Sequence, residues 1–377
     1  MEFEKFNSGE FKTQYKYKSF SPTRINQNWS WSDVQVNVLL EEAVRKLGEL
    51  NAFSLIVPNV DLFIKMLILK EANTSSKIEG TRTEIDEALM QQNDLNPEKR
   101  DDWQEVHNYV DAMNVAITQL EKLPLSNRLL KETHKILLEN SRGKHKQLGE
   151  FRQTQNWIGG SNLTDAVYIP PHHSELSGLM SDLENFWHNE KLLIPHLVKI
   201  GISHYQFETI HPFLDGNGRI GRLMITLYLV NFNLLSKPSL YLSDYFETHR
   251  TSYFDALSRV RESNDITHWI KFFLNAIIYT AEKGKNTFQK ILLLRQETDN
   301  FIITSGRAAQ NLKHIINYFY IKPVLTIKEI STETSISERT ARNLIDVLIE
   351  KRLIKETTGN KRNRIFTFER YLNLFKK

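Results

Sequence analysis

No cysteine occurs among the 377 residues, which excludes disulfides and thiolate-ligated metal centres. The N-terminus carries Glu2, Glu4, Lys5 and Lys12 and lacks the apolar core of a secretion signal. Long hydrophobic runs are missing too. The longest, Leu62–Leu69 and Leu223–Val230, fall well short of the ~20 apolar residues a spanning helix needs. A soluble cytoplasmic protein with no membrane partner is expected. Nor is there an internal repeat, a low-complexity segment, or sustained period-2 alternation with regular turns, so solenoids and all-β folds are excluded.

The 40% hydrophobic content is enough for sizeable cores, and the length suggests two or three domains. The net charge of +4 is unevenly spread. From Gly306 onward 15 Lys and Arg stand against 7 Asp and Glu, a net +8; the remainder is (49 − 15) − (45 − 7) = −4. A basic tail on an acidic body points to a separate module with its own partner.

Helical spacing dominates the body. Val34–Leu50 and Val60–Ile78 carry apolar residues at helical intervals, the second stopping at Gly80. Thr83 is the expected N-cap of a helix over Glu84–Gln92, ended by Asn96-Pro97. Trp103–Lys122, Asn127–Glu139, Leu176–Asn189 and Ile194–Ile210 continue the pattern. One local exception reads as strand, turn, strand: Gln155 to Ile158, then Gly159-Gly160-Ser161-Asn162, then Ala166 to Ile169. In the tail, Asn311–Tyr320, Thr326–Glu333 and Glu338–Lys351 are predicted helices. Ser337 caps the third, and Ala341, Leu344, Ile345 and Leu348 form its inner face. Leu353–Glu356, a Gly359-Asn360 turn and Arg364–Phe368 follow as a hairpin. Three helices and a hairpin make a winged helix-turn-helix pattern.

The densest chemistry lies in His211-Pro212-Phe213-Leu214-Asp215-Gly216-Asn217-Gly218-Arg219-Ile220-Gly221-Arg222. Pro212 ends one helix, and a second starts at Arg219. The free N–H groups and dipole of a helix N-terminus form an anion site, and glycines let the backbone approach a phosphate closely. Arg219 and Arg222, three apart, can reach one polyphosphate. Asp215 can hold Mg²⁺ between phosphate oxygens, and His211 is a base that titrates near neutrality. No Gly-Lys-Ser/Thr follows the glycines, so this is not a nucleotide-binding P-loop; alternating acidic ligands are absent, so it is not an EF-hand.

This string resembles the motif His-Pro-Phe-x-Asp/Glu-Gly-Asn-Gly-Arg-x-x-Arg of the Fic family at every fixed position, and the resemblance extends over about residues 20–300. It implies a mainly α Fic-type helical bundle with a short hairpin flap. It also implies an enzyme that transfers AMP from ATP to a Ser, Thr or Tyr hydroxyl of a target protein, releasing pyrophosphate. On this resemblance the catalytic set is His211 as general base with Asn217 and Arg219. Gly216, Asn217 and Gly218 surround the α- and β-phosphates, Arg219 and Arg222 hold the β- and γ-phosphates, and Asp215 binds the metal. In the related Doc kinases a lysine stands where this chain has Gly218, so glycine favours AMP transfer over phosphorylation. Trp157, Ile158, Val167, Tyr168 and Ile169 fall in the flap that clamps the target by strand addition. Tyr253 and Arg261 fall in the segment lining the adenosine pocket; the family often has paired tyrosines where this chain has Tyr253-Phe254.

Ser75-Ser76-Lys77-Ile78-Glu79-Gly80 is the second informative string. Ser75 and Glu79 share a helix face, and Glu79 sits in the last turn, where a carboxylate opposes the dipole. The string resembles the family's inhibitory motif, Ser/Thr-x-x-x-Glu-Gly/Asn, here preceding the core. Ser75, Glu79 and Gly80 would then form a brake in which Glu79 pairs with Arg222 in place of the γ-phosphate. Some relatives with this glutamate also remove AMP, so a second, de-AMPylating activity is left open.

Weaker signals complete the reading. His204 and His211, seven apart, could share a helix face as metal ligands. Arg339, Arg342 and Asn343 on the presumed recognition helix, with Lys361, Arg362 and Arg364 on the wing, are candidate DNA contacts. The expected divisions are a helical extension with the inhibitory helix (1–100), the catalytic core (101–235), its helical remainder and connector (236–305) and the winged tail (306–377). The resemblance alone suggests a homodimer. The competing reading is a nucleotide-sensing, DNA-binding transcriptional regulator; the intact His211 base weighs against it, since sensing needs no base.

Overall fold

The computed structural model describes residues 1–92, 95–139, 147–359 and 364–376. It opens with an antiparallel hairpin, β1 (Gly9–Thr13) and β2 (Lys18–Pro22). Helices follow as α1 (Val34–Ile56), α2 (Val60–Ile78), α3 (Ile85–Ala88), α4 (Arg100–Leu120), α5 (Asn127–Leu137), α6 (Leu176–His188), α7 (His196–Ile210), α8 (Asn217–Asn231), α9 (Ser243–Thr248), α10 (Arg250–Ser263) and α11 (Ile266–Ile303). The molecule is mostly helical, as expected. No helix among the described residues is long and apolar enough to cross a membrane.

Two helices set the centre. Every residue of α7 after His196 is buried, and α8 is buried from Asn217 to Leu229 except Gly218. A helix covered all round belongs to the middle of a bundle. Gly201 lets Phe273 and Ile270 of α11 approach α7; a Cβ there would lie 3.0 Å from the Phe273 ring. Trp269 also donates its indole N–H to the Gly201 carbonyl at 2.8 Å. The rigid α7–α8 pair thus carries the His211 loop between its ends. α1, capped by the Asp33 carboxylate at Gln35 and Val36, lies along α11.

α2 ends as its sequence dictates. Gly80 adopts φ 106°, its N–H reaches the Lys77 carbonyl at 3.0 Å, and the Thr81 N–H reaches Ser76 at 3.2 Å. This is the paired-bond stop that a glycine just past a helix permits. It aims Glu79 toward α8.

The tail comprises α12 (Ala309–Ile321), β3 (Val324–Thr326), α13 (Ile327–Thr334), α14 (Glu338–Glu350), β4 (Lys355–Glu356), β5 (Ile365–Thr367) and α15 (Glu369–Lys376), with antiparallel sheet order β3-β5-β4. Ser337 caps α14 by accepting the Thr340 N–H, and Ala341, Leu344, Ile345 and Leu348 are its buried residues. A capping box between Thr326 and Glu329 starts α13. The tail grips α2: Phe63 packs edge-on against Tyr320 at 5.3 Å and Tyr371 at 6.1 Å. Lys376 pairs with Asp86 and Gln91 with Glu329, on the segment just after Glu79.

Several expectations are corrected. The helix over Glu84–Gln92 shrinks to α3. Its start is organised by Glu84 and Glu87, whose carboxylate accepts the Glu84 N–H at 3.0 Å. Thr83 is no cap; its hydroxyl is buried without a partner among the described residues. The β1–β2 hairpin, β3 and α15 add to the elements that residue spacing predicts. β1 is almost wholly exposed and β2 almost wholly buried, so neither strand shows the alternation by which strands are read.

Candidate active site

His211 caps the C-terminus of α7 in the left-handed region, φ 50° and ψ 61°. Such a conformation costs a non-glycine residue about 1–3 kcal/mol and persists only when its surroundings enforce it. Here Arg152 and Asn156 do so. Arg152 Nε donates to the His211 carbonyl at 3.0 Å and Asn156 Nδ2 to the same oxygen at 3.2 Å, while the Arg152 N–H reaches the Pro212 carbonyl at 2.9 Å. Arg152 is buried, and burial lowers its pKa to about 10. The His211 side chain is 19% exposed, and burial lowers its pKa to about 4, so the imidazole is neutral at pH 7. Its Nδ1 faces the Glu208 carbonyl at 3.3 Å. A proton on Nδ1 directed to that oxygen leaves Nε2 with a free lone pair.

The loop after His211 is pinned from several sides. Asn217 clamps Phe213, accepting its N–H at 2.8 Å and donating to its carbonyl at 2.9 Å. Its side chain therefore shapes the loop, which leaves its backbone N–H, in the first turn of α8, for an anion. Gly216 has φ 74°. His134 stacks on Phe213 at 3.9 Å. Its Nδ1 accepts the Gly149 N–H at 3.0 Å, so Nε2 donates to the Asp215 carbonyl, also at 3.0 Å. The Asp215 side chain is 44% exposed, with Oδ1 on the Gly216 N–H at 2.7 Å. This half-exposed carboxylate, at the mouth of an anion site, suits a hard cation that keeps water and phosphate as its other ligands. No group of three or more metal-ligating side chains occurs among the described residues.

The two arginines are buried and go separate ways. Arg219 donates to Glu105 Oε2 at 3.1 Å and lies 3.9 Å from Asp215 Oδ1. Arg222 is held by α2: Nε donates to Ser75 Oγ and Nη2 to the Ser75 carbonyl, both at 2.9 Å, and Nη2 also reaches Glu79 Oε1 at 2.6 Å. Burial disfavours the Glu79 carboxylate, yet the Arg222 charge and hydrogen bond, with Arg219 and His211 behind them, hold it below the usual range. Gly218 is the third partner of this contact. A Cβ there would lie 2.3 Å from Glu79 Oε1 and 2.9 Å from Arg222 Nη1.

The flap is narrower than two strands. Ile158 and Tyr168 form one antiparallel bridge, with Ile158 N–H on the Tyr168 carbonyl at 2.9 Å. Tyr168 is buried, donates its hydroxyl to the Thr209 carbonyl at 2.7 Å and lies under the Arg261 guanidinium at 4.2 Å. Trp157 (40%) and Val167 (82%) are exposed. The Ile169 carbonyl accepts the Phe20 N–H of β2 at 2.9 Å, so the N-terminal hairpin buttresses the flap.

Two expected roles fall differently. Tyr253 is 1% exposed, stacks on Phe246 at 4.4 Å and bonds through its hydroxyl to His204 Nε2 at 2.9 Å. It presents no open face in this conformation, whereas Phe254 is 44% exposed. His204 is wholly buried, with Nδ1 on the Gly221 carbonyl at 3.1 Å. Both its nitrogens are occupied, so it is a structural histidine and not a ligand paired with His211. Sequence spacing gave no sign of Arg152, Asn156, His134 or Glu105, since all reach the loop from distant segments.

Burial of three neutral histidines has a consequence for stability. His134, His204 and His211 are lowered by burial to about 4, 3 and 4 from 6.5. The unfolded chain takes up these protons first, so the stabilisation is complete above pH 6.5 and drains away as pH falls toward 4. At pH 5 each histidine should cost about 2 kcal/mol. The buried Glu208 carboxyl, raised to about 7, works the other way and returns about 2 kcal/mol over this range. The melting temperature is therefore expected to drop by roughly 5 °C between pH 7 and 5, less steeply in His204→Gln. A flat profile would mean that these rings are not held neutral.

Residues 38–118 match the Fic/DOC family N-terminal domain, and residues 124–229 match the Fic/DOC family domain. A protein adenylyltransferase Fic of Culex quinquefasciatus is 35% identical over 135 residues, covering 36% of this chain and 24% of the relative. One of Aedes aegypti is 33% identical over 155 residues, covering 40% and 28%. The chain thus spans about a quarter of the length of these curated relatives. Among solved structures, a Fic family protein from Desulfovibrio desulfuricans G20 is similar in fold, with a TM-score of 0.56 at 20% identity over 91% of this chain and 98% of that one. A Fic domain containing signaling protein from Bacteroides thetaiotaomicron VPI-5482 follows at 0.54 and 17%, over 67% and 97%.

Proposed function

Since the chain belongs to the Fic/DOC family, we propose that it transfers AMP from ATP to a hydroxyl side chain of a target protein, and that Glu79 restrains this activity. The observation that carries the reading is one cluster: a neutral, conformationally locked His211 beside the N-terminus of α8, with Arg222 of that helix already occupied by Glu79. His211 Nε2 takes the proton of the target hydroxyl. The oxygen attacks the α-phosphorus, the bond to the bridging oxygen breaks, and pyrophosphate leaves. Gly216, Asn217 and Gly218 supply backbone N–H groups to the phosphates, Arg219 and Arg222 their guanidinium charges. Asp215 would hold Mg²⁺, which neutralises phosphate charge when bound. The outer edge of the flap, beside exposed Trp157 and Val167, would take the target as an added strand. Removal of AMP by water is kept as a second activity of the same site.

The test uses ATP labelled at the α-phosphate, Mg²⁺ and a cell lysate, with wild type, Glu79→Gly and Glu79→Gly/His211→Ala. Label on protein in Glu79→Gly but not in the double variant is the expected result. ATP binding without label in any variant would move the reading to a nucleotide sensor.

The tail supports a separate proposal, duplex DNA binding. Arg339, Arg342 and Asn343 are exposed on α14 opposite its buried face, as is Arg364 before β5; Lys361 and Arg362 lie outside the described residues. Arg342 is partly engaged by Glu338 at 3.2 Å. Fluorescence anisotropy with a labelled duplex at low salt should detect binding. Replacing Arg339 and Arg342 by alanine should weaken it and lower the salt slope by roughly 2. No binding at low salt removes this role.

A further inference from the structure

One buried acid beside the base has no part in the scheme above. Glu208, three residues before His211 on the last turn of α7, is 8% exposed. Its Oε2 lies 4.0 Å from His211 Nδ1. Its Oε1 is buried with no hydrogen-bond partner among the described residues. Room for that oxygen is made by Gly221 of α8, where a Cβ would lie 2.2 Å from it. A buried carboxyl with an unsatisfied oxygen costs about 1–3 kcal/mol, so its retention next to a base calls for a reason.

We propose that Glu208 is a positioning residue that orients the His211 imidazole and stabilises its cation after the proton of the target hydroxyl has been taken. The inference rests on the AMP-transfer reading for its catalytic consequence, though not for the coupling itself. The proton arrives on Nε2. Nδ1–H keeps its place toward the Glu208 carbonyl and carboxylate, and the new positive charge is paired in a site with little water. This is the logic of a base oriented by a third group. No proton passes to Glu208.

The surroundings make the carboxylate sensitive to pH. Burial raises Glu208, and Arg222 from α8 and Arg261 from α10 oppose that while Glu79 from the end of α2 adds to it; the outcome is about 7. Tyr253 of α10 also faces it. His211 is faced by Glu79, Arg152 and Arg261. Above pH 7 Glu208 is ionised and supports the cation; below, it is neutral and does not. The acid limb of kcat should therefore fall near pH 7, well above the pH at which His211 itself is protonated.

Two readouts test this in the full chain. In the Glu79→Gly background the acid limb should lie below 7, because Glu79 no longer raises Glu208. There Glu208→Gln should lower the plateau of kcat about tenfold or more and abolish that limb, with KM for ATP unchanged. Separately, NMR of ¹³C-labelled histidine, with His211 identified by its loss in His211→Ala, should show an inflection near pH 7 that vanishes in Glu208→Gln. Gly221→Ala, which displaces the carboxyl without removing it, should act in the same direction and covers the case in which Glu208→Gln does not fold. If no variant transfers AMP but the inflection depends on Glu208, the coupling stands and the AMP-transfer reading falls. A limb and an inflection that persist in both variants overturn the proposal.

Discussion

Glu79→Gly should raise AMP transfer by roughly 10- to 100-fold. In the proposed reaction the γ-phosphate of ATP lies at Arg222, and Arg222 is already bound by Glu79 and Ser75. Its side chain is 1% exposed. The Glu79 side chain is 39% exposed, so solvent screens the pair and separating it costs about 1–3 kcal/mol, less than the ~3–5 kcal/mol of a fully buried pair. Every ~1.4 kcal/mol shifts the competition tenfold. The variant removes that cost from the productive pose. It also leaves Arg222 without a carboxylate when no nucleotide is bound. Apo Glu79→Gly should therefore be less stable than wild type by about 1–3 kcal/mol and melt lower, and ATP should recover the difference. Initial rates with α-labelled ATP, and melts with and without ATP, check both halves. Equal rates in wild type and variant would remove the brake, whatever the melts show.

In that released background, His211→Ala should lower kcat by about 10²–10⁴ while ATP binding, followed by calorimetry, stays close to unchanged. The imidazole is the base nearest the anion site, and its neutral state at pH 7 comes from burial. Glu208 cannot replace it, since its carboxyl lies behind the ring on the Nδ1 side. Alanine also keeps the cost of the left-handed conformation at this position, so the Arg152 and Asn156 bonds to the carbonyl must hold it unaided. Retention of most of the rate would mean that the hydroxyl proton leaves by another route.

Much of this is legible in the amino-acid sequence alone. Gly80 stops α2 because a helix end can continue in the left-handed region most cheaply through glycine. The inner face of α14 follows from 3.6-residue spacing, and its start from Ser337. The His211–Arg222 string and the Glu79 motif state their chemistry in contiguous residues, and the Glu79–Arg222 contact joins them as the resemblance implied. Such features obey short-range rules, whose partners sit a few positions apart in one element.

Contacts between distant segments obey no such rule. Arg152 and Asn156 lock His211, and His134 and Glu105 hold Asp215 and Arg219, each across more than fifty residues. Nothing in their local sequence marks them, because what selects them is the shape and polarity of a site that exists only once the helices pack. The same holds for Tyr253, turned into the core by His204 and Phe246, and for the hairpin that braces the flap. It holds too for the tail that closes on Phe63 of α2. The residues by themselves determined which chemical groups the loop carries and which carboxylate meets Arg222. Tertiary packing alone decided the conformation and protonation of the base, because both depend on burial and on hydrogen bonds from segments far along the chain.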